Sequence, residues 1–305
     1  MTQAILQASI KTPMTSVPQQ TALRFRTRSI LGLVGLLSAI IVGVVYCNNA
    51  ANRPNAAMHG KQWSAAQLVS LDEISHARWD RMLKKYVDAQ GMVNYSGWHR
   101  DAVDRKALKQ YLNFLSQGDP DTGSQQEKLA FWINAYNALT IQGILQEYPT
   151  SSIRNHTGLV GYNLWKDLPL WVGNHQYSLD AIEHQVLRPM GEPRIHFAIV
   201  CASIGCPKLR NEAYTANSIE TQLTQNAMDF FSNSRHFQFE ASSQRVKLSS
   251  ILNWFGEDFG VNHASQLESI RSFLPPEAQQ KMNAQKANVS FLKYDWSLND
   301  QHPVK

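Results

Sequence analysis

Apolar residues recur at a helical period most clearly between Gln125 and Tyr148. Leu129, Trp132, Ile133, Tyr136, Leu139, Thr140 and Ile144 fall three or four residues apart. The spacing predicts a helix over 125–148, stopped by Pro149, with Glu127, Asn134, Asn137, Ile141 and Leu145 on an adjacent stripe. Two amides and a carboxylate beside an apolar face are expected to be at least partly buried. Buried amides need hydrogen-bond partners, so these should fix nearby backbone or polar groups. The same period predicts helices over 102–115 and 218–231, one or two between Leu68 and Tyr86, and shorter pieces over 252–259 and 270–274. A helix over 178–188 is expected to open on a capping box of Asp180 and Glu183.

Alternation of period two is rarer. Phe237–Phe239 with Val246–Leu248 predicts a hairpin, Phe291–Trp296 a last strand, and Val93–Tyr95 a short one. Around Arg194, the residues Ile195, Phe197 and Ile199 alternate with His196, Ala198 and Val200, which reads as a short buried strand. It runs into the turn Gly205-Cys206-Pro207. With no internal repeat and no domain-scale linker after residue 60, these elements predict one α+β domain over 63–300, several amphipathic helices around a small sheet.

Charge changes the picture at the N-terminus. Residues 1–28 contain Lys11, Arg24, Arg26 and Arg28 and no acidic residue, which accounts for most of the net charge of +5. The rest is nearly balanced, so no basic face is left for nucleic acid, and no nucleic-acid partner is expected. From Ser29 to Asn52 there is no charged residue. As a helix that stretch would span about 36 Å, enough for a bilayer core of about 30 Å. Arg24, Arg26 and Arg28 just before it outnumber the single Arg53 that follows it, which orients the chain with 1–28 in the cytoplasm. The expectation is a polar segment over 1–28, a signal anchor over 29–47 and a linker over 48–62. The domain would then lie outside the cytoplasm, held single-pass in a bacterial inner membrane. A cleaved signal peptide and a lipid anchor on Cys47 are the alternatives; the first lacks a good Ala-x-Ala site, and bulky Tyr46 weakens the second.

Candidate chemistry gathers at the predicted strand. Cys201 and Cys206 are the two cysteines beyond the apolar segment. In an oxidising compartment they could pair; as small hydrophobes they could simply be buried. As a thiolate, Cys206 could act as a nucleophile with His196, or less directly His184, as base. Glu183, His184, His196, Cys201 and Cys206 are also potential metal ligands. No Cys-x-x-Cys or His-Glu-x-x-His spacing occurs, so neither a metal nor another cofactor is expected. Arg188 and Arg194 could meet a substrate carboxylate, though pairing with Glu183 or Glu192 is the commoner fate of such residues.

Four ordered motifs carry a resemblance. They are Glu127–Ala138 (EKLAFWINAYNA), Tyr177–His184 (YSLDAIEH), the run from Arg194-Ile195-His196-Phe197 through Cys206-Pro207, and Leu252–Phe259 (LNWFGEDF). Spread over residues 65–297, they resemble the DUF547 family. The resemblance implies a bacterial or plant protein of unestablished activity, often exported in bacteria, and it transfers no catalytic residues. A helix followed by a His-bearing strand is also similar in order to papain- and transglutaminase-like thiol enzymes. Their helix opens on the nucleophilic Cys, whereas Asn134 and Asn137 occupy this one. The leading expectation is a thiol hydrolase or acyl transferase acting on amide or acyl bonds through Cys206 and His196. Arg194, Asn134, Asn137, Glu127, Glu183, His184 and Cys201 would support it. The rival is a non-catalytic envelope domain that binds a peptide or other partner.

Overall fold

A computed structural model describes residues 59–156 and 163–303. The expected cytoplasmic segment 1–28, the anchor 29–47, Cys47 and most of the linker lie outside the described residues. No helix among the described residues is long and apolar enough to cross a membrane. All described residues fall in one compact unit, Arg53–Lys305.

The architecture is α+β, as expected. Helix α1 (Ala77–Tyr86) packs on α2 (Tyr95–Arg100) and α3 (Ala102–Leu115), and these two pack beside the long α4 (Gln125–Glu147). The short α5 (Leu164–Asp167) leads into an antiparallel pair, β1 (Leu170–Val172) and β2 (His175–Tyr177). After α6 (Leu179–Ala181) the chain widens into a π-helical stretch, Ile182–Leu187. Helix α7 (Ile219–Ser232) precedes β3 (Phe237–Glu240) and β4 (Arg245–Leu248). Helices α8 (Ser250–Trp254), α9 (His263–Ile270) and α10 (Pro276–Lys281) lead to β5 (Asn288–Phe291). The hairpin register sets Phe237 opposite Leu248, and β5 adds parallel to β4.

Several boundaries differ from expectation for local reasons. Val93 forms only isolated bridges, to Val87 and to Asp300, and Tyr95 opens α2 because the Asn94 side chain caps the Gly97 N–H at 2.8 Å. The last strand ends at Phe291, where the expected one began; Leu292–Trp296 runs on without regular structure past a cleft. Packing also reaches further upstream than Trp63. His59 is buried, donates its N–H to the Pro169 carbonyl and accepts from the Trp171 N–H.

Helix α4 sits at the centre. A capping box starts it, with Ser124 and Glu127 exchanging side-chain-to-backbone hydrogen bonds. Every residue from Leu129 to Leu145 is buried, so this helix is enclosed on all sides rather than on one face. One apolar cluster surrounds it, including Trp79, Trp98, Tyr111 and Phe131. A second joins α7 to the three-stranded sheet through Phe197, Phe230, Phe231, Phe237 and Val246. Tyr294 packs against both clusters.

Candidate functional site

The segment that the alternation assigned to a strand is not one. Pro193 presets the first backbone angle, and the Glu192 carboxylate accepts the Arg194 N–H at 3.0 Å. A 3-10 helix, Pro193–Phe197, follows. All of Ile195 to Val200 is buried, so the apolar alternation carried no distinction between a wet and a dry face.

Side-chain amides do what neighbouring strands would have done. Asn137 of α4 donates to the Ala198 carbonyl at 3.0 Å and accepts the Val200 N–H at 2.9 Å. Asn226 of α7 donates to the Phe197 carbonyl at 2.8 Å. Asn134 makes the same two-bond pairing with the backbone of Tyr214, at 2.8 and 3.0 Å. These amides fix backbone, as a buried amide must.

Past Val200 the chain turns tightly. Ala202 takes φ 59°, left-handed backbone that a non-glycine residue adopts only when its surroundings hold it there. A Cβ on Gly205 would come within 2.9 Å of the Asp295 backbone and the Tyr294 ring, so the turn lies flat against the C-terminal segment. This geometry brings Cys201 and Cys206 together, and they form a disulfide.

The disulfide lies in a cleft with a cavity volume of about 170 Å³. Tyr136, Trp165, Phe255, Tyr294 and Trp296 contribute aromatic walls, and Trp254, 45% exposed, stands at the lip. Trp254 packs on Tyr294 at 4.9 Å and Trp296 at 5.7 Å, so the rings form a continuous platform. Glu183 and His196 supply ionisable groups in the same cleft.

His196 is held on both sides. Phe255 stacks on its ring at 4.3 Å, and Nε2 lies 2.7 Å from Asp258 Oδ2. Burial lowers the imidazole pKa more than Asp258 raises it, so the ring is neutral near pH 7, with Nε2–H donating to Asp258 and Nδ1 the basic nitrogen. Arg188 in turn grips Asp258 through Nε at 2.7 Å and Nη2 at 2.8 Å. Burial would push the Asp258 carboxyl up, but hydrogen bonds from Arg188 and His196 outweigh it and hold it below the usual range.

Glu183 is the opposite case. Burial raises its carboxyl to about 7 against the lowering effects of the Tyr136 hydroxyl, which donates at 3.3 Å, and of Arg188. The expected Asp180–Glu183 capping box is absent. Ser178 caps the helix instead, accepting the Ala181 N–H at 3.1 Å. The π-helical stretch begins just before Glu183, a departure from regular helix that recurs at functional sites.

Of the residues singled out in the sequence, Cys201, Cys206, His196 and Glu183 meet in the cleft. The others do not line it. Glu127 caps α4, and Arg194 is taken up by Glu192, Glu220 and Thr224. His184 is exposed and accepts from Arg188 at 3.1 Å. Asn134 and Asn137 serve backbone. Arg188 pairs with Asp258 and Glu257, not with Glu183. The residue missed altogether is Asp258, 62 positions from His196 and without any local signal of that pairing. No group of three or more His, Cys, Asp or Glu side chains among the described residues is placed to hold a metal ion.

Comparison with known proteins returns neither a curated protein nor a solved structure that matches. A family description does match residues 120–231, the stretch that holds α4, the π-helical turn, the disulfide and α7: this stretch is similar to DUF547, "Protein of unknown function".

Proposed function

We propose that this chain is an exported, membrane-anchored DUF547 domain whose cleft binds an apolar side chain of a peptide or envelope partner. One observation carries the reading. An aromatic platform with Trp254 exposed at its lip opens over a floor where Cys206 is bonded to Cys201 and so has no thiolate to offer. Glu183, with its carboxyl raised to about 7, and a neutral His196 are suited to hydrogen-bonding an uncharged amide. The test is tryptophan fluorescence during titration with N-acetyl-phenylalanine amide and with its serine counterpart. The phenylalanine compound should give a saturable change, and Trp254→Ala should weaken it about tenfold, the scale of one lost aromatic contact. Indistinguishable titrations by the two compounds would sink the reading.

A second reading rests on the His196–Asp258 pair sharing the cleft with Cys206. In the reduced protein Cys206 would be the nucleophile of a thiol hydrolase or acyl transferase, His196 its base and Asp258 the group orienting the ring. Iodoacetamide should then label Cys206 faster than Cys201, and His196→Ala should slow that labelling. Labelling unaffected by the His196 substitution would remove the hydrolase.

A further inference from the structure

The two sulfurs of the cleft disulfide are not equivalent. Cys201 is half-buried, whereas Cys206 is 7% exposed. Hydroxyls of Ser203 and Tyr294 lie 3.1 Å from Cys201 Sγ. Cys206 Sγ is approached by the same two, Tyr294 donating at 3.1 Å and Ser203 at 3.5 Å, and in addition accepts the Cys201 backbone N–H at 2.9 Å. Ser203 and Tyr294 are themselves 3.0 Å apart, so one hydroxyl can support the other as donor. Burial pushes the Tyr294 phenol up, and its proton stays available. The hydroxyls lie within reach of both sulfurs, so the backbone N–H is what sets Cys206 apart. It already points at that sulfur and will stabilise negative charge that appears there when the bond breaks, and a better-stabilised leaving thiolate departs faster. Access favours attack on the other sulfur.

We propose that the Cys201–Cys206 disulfide is a thiol–disulfide exchange site for cysteine-bearing peptides or proteins, with Cys201 the sulfur attacked and Cys206 the leaving thiolate. This chemistry does not depend on which apolar group the aromatic walls hold. The incoming thiol first loses its proton to base in solution. Its sulfur bonds to Cys201 Sγ, the Cys201–Cys206 bond breaks, and that electron pair passes to Cys206 Sγ, where the N–H and the hydroxyls receive it. A second substrate thiolate then attacks the substrate sulfur of the mixed disulfide and releases Cys201. Two substrate thiols become one disulfide while the protein disulfide becomes two thiols. The protein disulfide is the oxidant and the substrate thiols are the reductant.

The oxidised full chain, treated with reduced glutathione, quenched with acid, alkylated and mapped by mass spectrometry, tests this. Glutathione should be found on Cys201 with the alkyl label on Cys206. Tyr294→Phe should slow adduct formation about three- to tenfold, as expected for loss of one hydrogen bond to a developing thiolate. Adduct on Cys206, a disulfide that stays intact while a small-molecule disulfide in the same tube is consumed, or a Tyr294→Phe rate equal to that of the parent would each overturn the proposal. The position of the adduct in the unsubstituted chain decides even if the variant fails to fold. Cys206→Ser gives an independent reading, since with oxidised glutathione it should hold the adduct on Cys201 while folded.

Discussion

Glu183 shows what burial does to a single side chain in this cleft. Its carboxyl is raised from the ordinary value of 4.5 to about 7, so the folded state holds its proton more tightly than the unfolded chain does. The stability this contributes is fully present below about pH 4.5 and is lost as pH rises through about 7. Glu183→Gln, which mimics the protonated form, should therefore flatten the fall in stability between those values, as denaturant unfolding across that range would reveal. Parallel curves for the two proteins would mean that the carboxyl is solvated. That Asn134 and Asn137 would be buried and would brace backbone was legible from the stripe they occupy. Their partners were not, since Tyr214 lies 80 positions from Asn134 and the Ala198 carbonyl 61 from Asn137. Asp258 escaped for the same reason: a contact made across the fold leaves no spacing in the sequence.

Elements were read well where one period dominated. The spans of α3, α4 and α7 and the β3–β4 hairpin fall within a residue or two of expectation. Reading failed where an apolar run was too short to show its period. A run apolar on both faces fits a strand, a helix or a 3-10 turn, and at 193–197 Pro193 and the Glu192 cap decided for the last. The all-round burial of α4 has an energetic consequence. Trp132 is 2% exposed and meets Phe131 edge-on at 5.2 Å and Tyr177 at 4.8 Å. Trp132→Ala should cost about 3–5 kcal/mol, the usual price of deleting a large buried aromatic. An unchanged melting temperature would place that ring outside the packing that holds α4.

On the scale of the whole molecule, the cleft lies where the apolar cluster around α4 meets the one around the small sheet. Tyr136, Ile199 and both cysteines come from the first, Ile251 and Phe255 from the second, and Tyr294 touches each. The cleft needs residues from far apart in the chain, so the sequence could supply its parts list but not its assembly. Its disulfide also bears on where the domain works. In the proposed exported setting the Cys201–Cys206 bond would stand where disulfides persist, whereas the cytoplasm keeps thiols reduced. The proposed orientation rests on the basic residues Arg24, Arg26 and Arg28 that precede a charge-free stretch from Ser29 to Asn52. A reporter that works only outside the cytoplasm, fused after Lys305, should be active. The protein should also stay with the membrane through a high-salt wash, because an apolar span is not held there by charge. A reporter active in the cytoplasm would reverse the orientation and place the cysteines where glutathione keeps thiols reduced. Release by salt with the orientation intact would instead replace the anchor by a cleaved signal and leave the oxidised cleft in place.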